Sequence, residues 1–159
     1  MPWVQNATVI LVFFLFARMF IHRRLHLHLI DLVRSRHATP LSTMAKWIMI
    51  VAYAMSLFFP NTIVVLACLP VIRDMLHSLD PGRMRQRGAT RLGLALIYGA
   101  NIGGMGSITG SPLNLVFFGF LEFHKVPGYT QVTFFTWLLV GVPLTLVLLG
   151  AGLLVLGRH

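Results

Sequence analysis

Apolar residues fall in four blocks along this chain, each bounded by arginine, histidine or turn residues. The first, Trp3 to Phe20, is long enough to cross a bilayer and predicts a transmembrane helix over 3–21. Trp3 marks one interface and Arg18, Arg23 and Arg24 the other. In residues 22–40, Leu25, Leu29, Leu32 and Val33 recur at helical spacing among Arg and His. That predicts an amphipathic helix in the cytoplasmic interface, closed by Pro40. The second block, Met44 to Ile72, is apolar except at Phe58–Thr62, FFPNT. A proline-kinked single span competes with a re-entrant hairpin. The arms Met44–Leu57 and Ile63–Ile72 are each shorter than the roughly 20 residues a crossing needs. They predict a hairpin over 41–72 with Asn61 and Thr62 at its tip. Residues 73–91 carry five arginines and the turn Asp80-Pro81-Gly82, and predict a cytoplasmic loop. The fourth block predicts a plain span over 132–156.

The third block, 92–123, carries NIGGMGSITGSPLNLV at residues 101–116, at what should be bilayer depth. Glycine weakens helix, and Pro112 lacks an N–H and disfavours helical geometry at Ser111. The stretch predicts a broken helix: one half ends near Ile102, the other begins near Pro112, and polar backbone lies between. Unwound backbone survives in a membrane only where protein buries it or it lines a cavity. Interrupted helices of this kind hold substrate and coupling ion in secondary transporters. A small-residue packing face is the alternative. Asn101, Ser107, Thr109, Ser111 and Asn114 supply more polar groups than packing requires.

Composition sets the class. The chain is 57% hydrophobic and 11% charged, with a mean hydropathy of +0.80, so it is integral to a membrane, and the predicted helices make the expected fold all-α. A net charge of +9 would point to nucleic acid in a soluble protein. Here the basic residues flank apolar blocks, and the positive-inside rule accounts for them without a nucleic-acid partner. With the N-terminus outside and the C-terminus cytoplasmic, twelve of the 13 Lys and Arg lie at or near the cytoplasm and Lys125 lies outside. The expected location is a cell membrane, of the bacterial inner-membrane kind. His22 and His26 stand four apart with His28 nearby, but no acidic partner completes a zinc set, and no cofactor is expected. Histidine and acidic residues cluster in the basic segments, away from any core nucleophile, which argues against an enzyme. Cys68 has no second cysteine to pair with.

FFPNTIVVLACLPV, followed some forty residues later by IGGMGSITGSPLN, resembles the divalent anion/sodium symporter family of the ion transporter superfamily. The similarity covers roughly residues 10–157. That family carries a hairpin-tip Ser-Asn-Thr, then Leu-Pro, then a broken helix close to IGGxxTxxGTPPN. By position, the resemblance implies a sodium site at Ser56, Asn61, Gly103, Gly104, Ser107 and Gly110. It implies anion contacts at Asn61, Thr62, Ser111, Pro112 and Asn114. Pro60 stands where the family has the tip Ser, and Leu113 where it has the second Pro. The implied function is sodium-coupled secondary transport of a small anion, a di- or tricarboxylate or a sulfate-like ion. The family builds its site from two inverted repeats, and this chain holds the elements of one. It reads as half of a transporter or a fragment, partnered by a second half or by oligomerisation. The alternatives are a non-transporting membrane subunit or remnant, and half of a related cation/proton antiporter.

Overall fold

A computed structural model describes Leu11, Leu15 and residues 40–77, 82–128 and 132–158. The helices expected over 3–21 and 22–40, with their histidines, lie outside the described residues apart from Leu11, Leu15 and Pro40. Residues 40–158 are all-helical where described, in five helices: α1 Leu41–Ser56, α2 Asn61–His77, α3 Arg83–Gly106, α4 Pro112–Phe123 and α5 Phe134–Arg158.

Prolines set several of the boundaries. Pro40 lacks an N–H but its carbonyl accepts from Thr43 and Met44, at 2.9 and 3.2 Å, starting α1. Pro60 cannot donate back into α1, and its carbonyl accepts from Ile63 and Val64, at 2.9 and 3.2 Å, starting α2. Pro112 is the first residue of α4, where a missing N–H costs nothing, and the Ser111 side chain caps the same end by accepting from Leu113 N at 3.3 Å. On α2, Val64, Cys68, Val71, Ile72 and Met75 form the buried stripe, spaced as one helical face.

α3 is the centre of the fold and packs against α1, α2 and α5. Leu92, Leu96, Met49 and Val64 are fully buried between these helices. Lipid tails are as apolar as leucine, so close packing and hydrogen bonds hold such helices together more than hydrophobic burial does. Gly99 and Gly103, four apart on α3, let the α1 backbone approach. A Cβ on either would collide with the carbonyl of Met49 or of Tyr53. Between α1 and α5, Thr145 Oγ1 donates to the carbonyl of Gly141 at 2.8 Å, one turn back. With that proton spent, the Tyr53 hydroxyl donates to Thr145 Oγ1 at 3.1 Å.

Phe134–Leu156, 23 residues within α5, is the one helix among the described residues long and apolar enough to cross a membrane. Its start lies two residues after that of the expected 132–156, and its end coincides. Two other expectations shift. Residues 73–91, expected as loop, are helical at Arg73–His77 and from Arg83 onward. Met75 continues the buried face of α2, and Arg, Met and Gln are good helix formers, so charge does not end the helices there. The first half of the broken helix runs to Gly106, four residues past Ile102. Gly103 and Gly104 stay helical because both are packing surfaces, against Tyr53 and against Gly110.

Candidate functional site

Two chain interruptions, 57–60 between α1 and α2 and 107–111 between α3 and α4, touch each other. The backbone N–H of Asn61 donates to the carbonyl of Gly110 at 2.9 Å. Gly110 sits tightly between the two elements: a Cβ there would collide with the Ser56 carbonyl and stand 2.7 Å from Gly104 Cα. The C-terminal ends of α1 and α3 and the N-terminal ends of α2 and α4 therefore meet in one place. Helix C-termini present carbonyls with partial negative charge, and N-termini present amides with partial positive charge.

The 107–111 segment is held by its own side chains. Ser107 is fully buried and Thr109 nearly so. Ser107 Oγ accepts from Gly110 N at 3.0 Å and lies 3.2 Å from Thr109 Oγ1. Asn114, in the first turn of α4, reaches back across the break. Its Nδ2 donates to the carbonyls of Gly104 and Ser107, at 2.8 and 2.7 Å. A single amide thus binds the end of one half-helix to the start of the next. On the other interruption, Asn61 Oδ1 accepts from Thr62 N at 2.9 Å, and Asn61 Nδ2 donates to Asn101 Oδ1 at 2.8 Å. Ser56 is fully buried, and its hydroxyl is 3.5 Å from the Phe59 carbonyl it faces.

Of the residues singled out in the sequence, Ser56, Asn61, Gly104, Ser107, Gly110 and Asn114 come together at this junction. Thr62 is beside it, exposed on the first turn of α2, with its hydroxyl 3.5 Å from Asn61 Oδ1. Ser111 and Pro112 form the N-terminus of α4. Gly103 differs: it faces the α1 backbone at Tyr53, as packing surface.

Four residues at or behind the junction were not in the expected site. Asn101 holds the Asn61 amide. Trp137 Nε1 donates to the carbonyl of Met105 at 3.2 Å, satisfying one orphan acceptor at the end of α3. Its ring lies edge-on to Phe117 of α4, with centroids 6.2 Å apart, so Trp137 touches both halves of the broken helix. One turn on, a Cβ at Gly141 would stand 2.7 Å from the Gly106 carbonyl, and one turn further stands Thr145. The sequence signal is this spacing of 137, 141 and 145, one face of an otherwise aliphatic helix.

Chemically, the junction offers hydroxyl, amide and carbonyl oxygens, which suit a hard cation, and helix N-termini, which suit an anion. The nearby groove of about 570 Å³ between α4 and α5 is walled by Phe117, Leu121, Val140 and Leu144, a lining unsuited to a carboxylate.

Residues 5–159 match the citrate transporter family. The chain belongs to that family. It is a family of membrane transporters and not of enzymes, and the resemblance to divalent anion/sodium symporters holds. Among curated relatives, the chain is 34% identical over 122 residues to the sodium-dependent high-affinity dicarboxylate transporter 3 of Caenorhabditis elegans, covering 65% of this chain and 21% of that protein. It is 29% identical over 137 residues to the sodium-dependent dicarboxylate transporter SdcS of Staphylococcus aureus strain USA300, covering 82% of this chain and 25% of that protein. An uncharacterised transporter of Methanocaldococcus jannaschii, MJ0672, is 34% identical over 97 residues, 61% of this chain and 19% of that protein. The chain therefore spans about a fifth to a quarter of the length of the curated relatives it matches. No solved structure matches it.

Proposed function

We propose that this chain supplies one half of the ion and substrate site of a sodium-coupled transporter for a small anion of the di- or tricarboxylate class. The observation that carries this reading is the Asn61 N–H to Gly110 carbonyl bond, which makes two interrupted helices share one polar junction. In this proposal Ser56, Asn61, Ser107 and backbone oxygens from Gly103 to Gly110 take sodium. Asn61, Thr62 and the α4 N-terminus at Ser111, Pro112 and Asn114 face the anion. A bound cation would supply the charge that the junction lacks, because no Lys or Arg belongs to it. Relatives named as sodium-dependent dicarboxylate transporters support the ion and the substrate class. The test is uptake of labelled succinate into proteoliposomes. The complete transporter accumulates it under an inward sodium gradient and not under potassium, and these 159 residues alone give background. Uptake indifferent to sodium would remove the coupling ion. Uptake by the chain alone would replace the half-site by a self-sufficient one.

The same reading makes α1 and α2 a re-entrant hairpin entered from the cytoplasm. α1 has 16 residues and α2 has 17, each short of the roughly 20 that span a bilayer. Four residues join them, and short connections favour antiparallel neighbours. In a Cys68→Ser background, cysteines at Thr43 and Asp74 are expected to react with an impermeant maleimide from the same side. Labelling from opposite sides would make 41–77 a single kinked crossing. The fixed orientation implied by the basic residues favours a second chain, or further sequence, as the source of the other half over an antiparallel homodimer.

A further inference from the structure

We propose that the groove between the end of α2 and the start of α3 binds a phosphate group. The groove has a volume of about 510 Å³, and its lining includes Arg73 and His77 from α2 with Gly82, Arg85 and Gln86 at the start of α3. Its charge is one-sided. Among the described residues, neither Arg73 nor Arg85 is paired with a carboxylate. Asp74 is exposed and is not part of the lining, and Asp80 lies in the connecting residues outside the described ones.

Two details aim this charge into the groove. Arg85 Nη2 lies 3.1 Å from His77 Nδ1. A guanidinium only donates, so the ring accepts at Nδ1 and keeps its Nε2–H as a further donor. The second detail is the start of α3. It is a 24-residue helix with no side-chain cap at Gly82 and no acidic residue in its first turn, so among the described residues no side chain accepts from its first amides. The α2 C-terminus contributes about half a negative charge at the same end, less than two guanidinium groups offset. Guanidinium forks match phosphate oxygens in pairs. Leu76 and Ala89 add an apolar wall that suits the start of a lipid acyl chain. Basic pockets at the ends of membrane helices take anionic headgroups for these reasons. The inference does not depend on sodium coupling, only on the chain being a membrane protein.

The experiment uses the full chain in zwitterionic micelles doped with increasing phosphatidylglycerol, with thermal unfolding followed by circular dichroism. The wild type and R87Q, an exposed arginine of α3 outside the groove, should reach half-maximal stabilisation at the same lipid fraction. R73Q/R85Q should need at least about fivefold more. If R73Q/R85Q does not fold, R73K/R85K decides: it keeps the charge, loses the fork, and should need about twofold more. Equal midpoints for the deciding variant and the wild type overturn the site, as does an R87Q shift as large as that of the groove variant. A parallel arm adds millimolar inorganic phosphate to undoped micelles. Stabilisation that R73Q/R85Q or R73K/R85K weakens assigns the site to free phosphate, and no stabilisation assigns it to the lipid headgroup.

Discussion

Gly110→Ala should cut sodium-driven anion uptake about 100-fold and lower the melting temperature, whereas Gly119→Ala should leave uptake unchanged. The contrast follows from what each added methyl meets. At Gly119 nothing lies within 4 Å, and alanine in a helix is better than glycine by roughly 0.5–1 kcal/mol. At Gly110 the methyl runs into the Ser56 carbonyl on one side and stands 2.7 Å from Gly104 Cα on the other. Both obstacles are backbone, so no side chain can swing away. The two interruptions must separate, and the Asn61 N–H to Gly110 carbonyl bond stretches with them. Overpacking of this sort costs about 1–3 kcal/mol in a well-packed core, and two rigid walls put Gly110 at the upper end. Uptake and melting are measured on both variants in the complete transporter. If Gly110→Ala behaves like Gly119→Ala, the junction is not closely packed and the shared-site reading loses its geometric basis.

The same contrast explains what could be read from the sequence. Pro60 and Pro112 announced two helix starts because a residue without an N–H fits at or just before the first helical position and poorly further in. Glycine is less informative. Gly103 and Gly104 look like breakers by propensity, yet both remain helical because α1 and Gly110 pack directly on them. Tertiary contact, invisible in one sequence, reverses the local preference. The helical ends of 73–91 were hidden for the opposite reason: arginines suggested solvent, while Met75 and Leu92 were already continuing buried faces. Ser107, Gly110 and Asn114 could be picked out because they stand in one short polar stretch inside an apolar block. Asn101 lay at its edge, and its role depends on Asn61, forty residues away. Trp137 gave even less local signal, because an aromatic residue near a span end already has an interfacial explanation. Its bond to the Met105 carbonyl exists only once α5 lies across the break.

Asn61→Ala is expected to reduce sodium-dependent uptake to background, a loss of at least about 100-fold, while lowering stability by only about 1 kcal/mol. The two effects separate because Asn61 is half-buried. Its side chain accepts from Thr62 N and donates to Asn101, and water can replace both partners when it is gone. In the proposed site, water cannot so easily replace a fixed amide oxygen at the crossing of two half-helices, where a sodium ion would have to be stripped of hydration. Asn101 then gives the sharper test. If Asn101 acts by holding the Asn61 amide in place, Asn101→Ala lowers sodium affinity on its own. Combined with Asn61→Ala, it adds nothing, because the group it positions is already missing. Independent losses in the double variant would mean that Asn101 meets the ion or the anion directly. Wild-type uptake by Asn61→Ala would remove both residues from the transport step and leave their hydrogen bond as packing between α2 and α3.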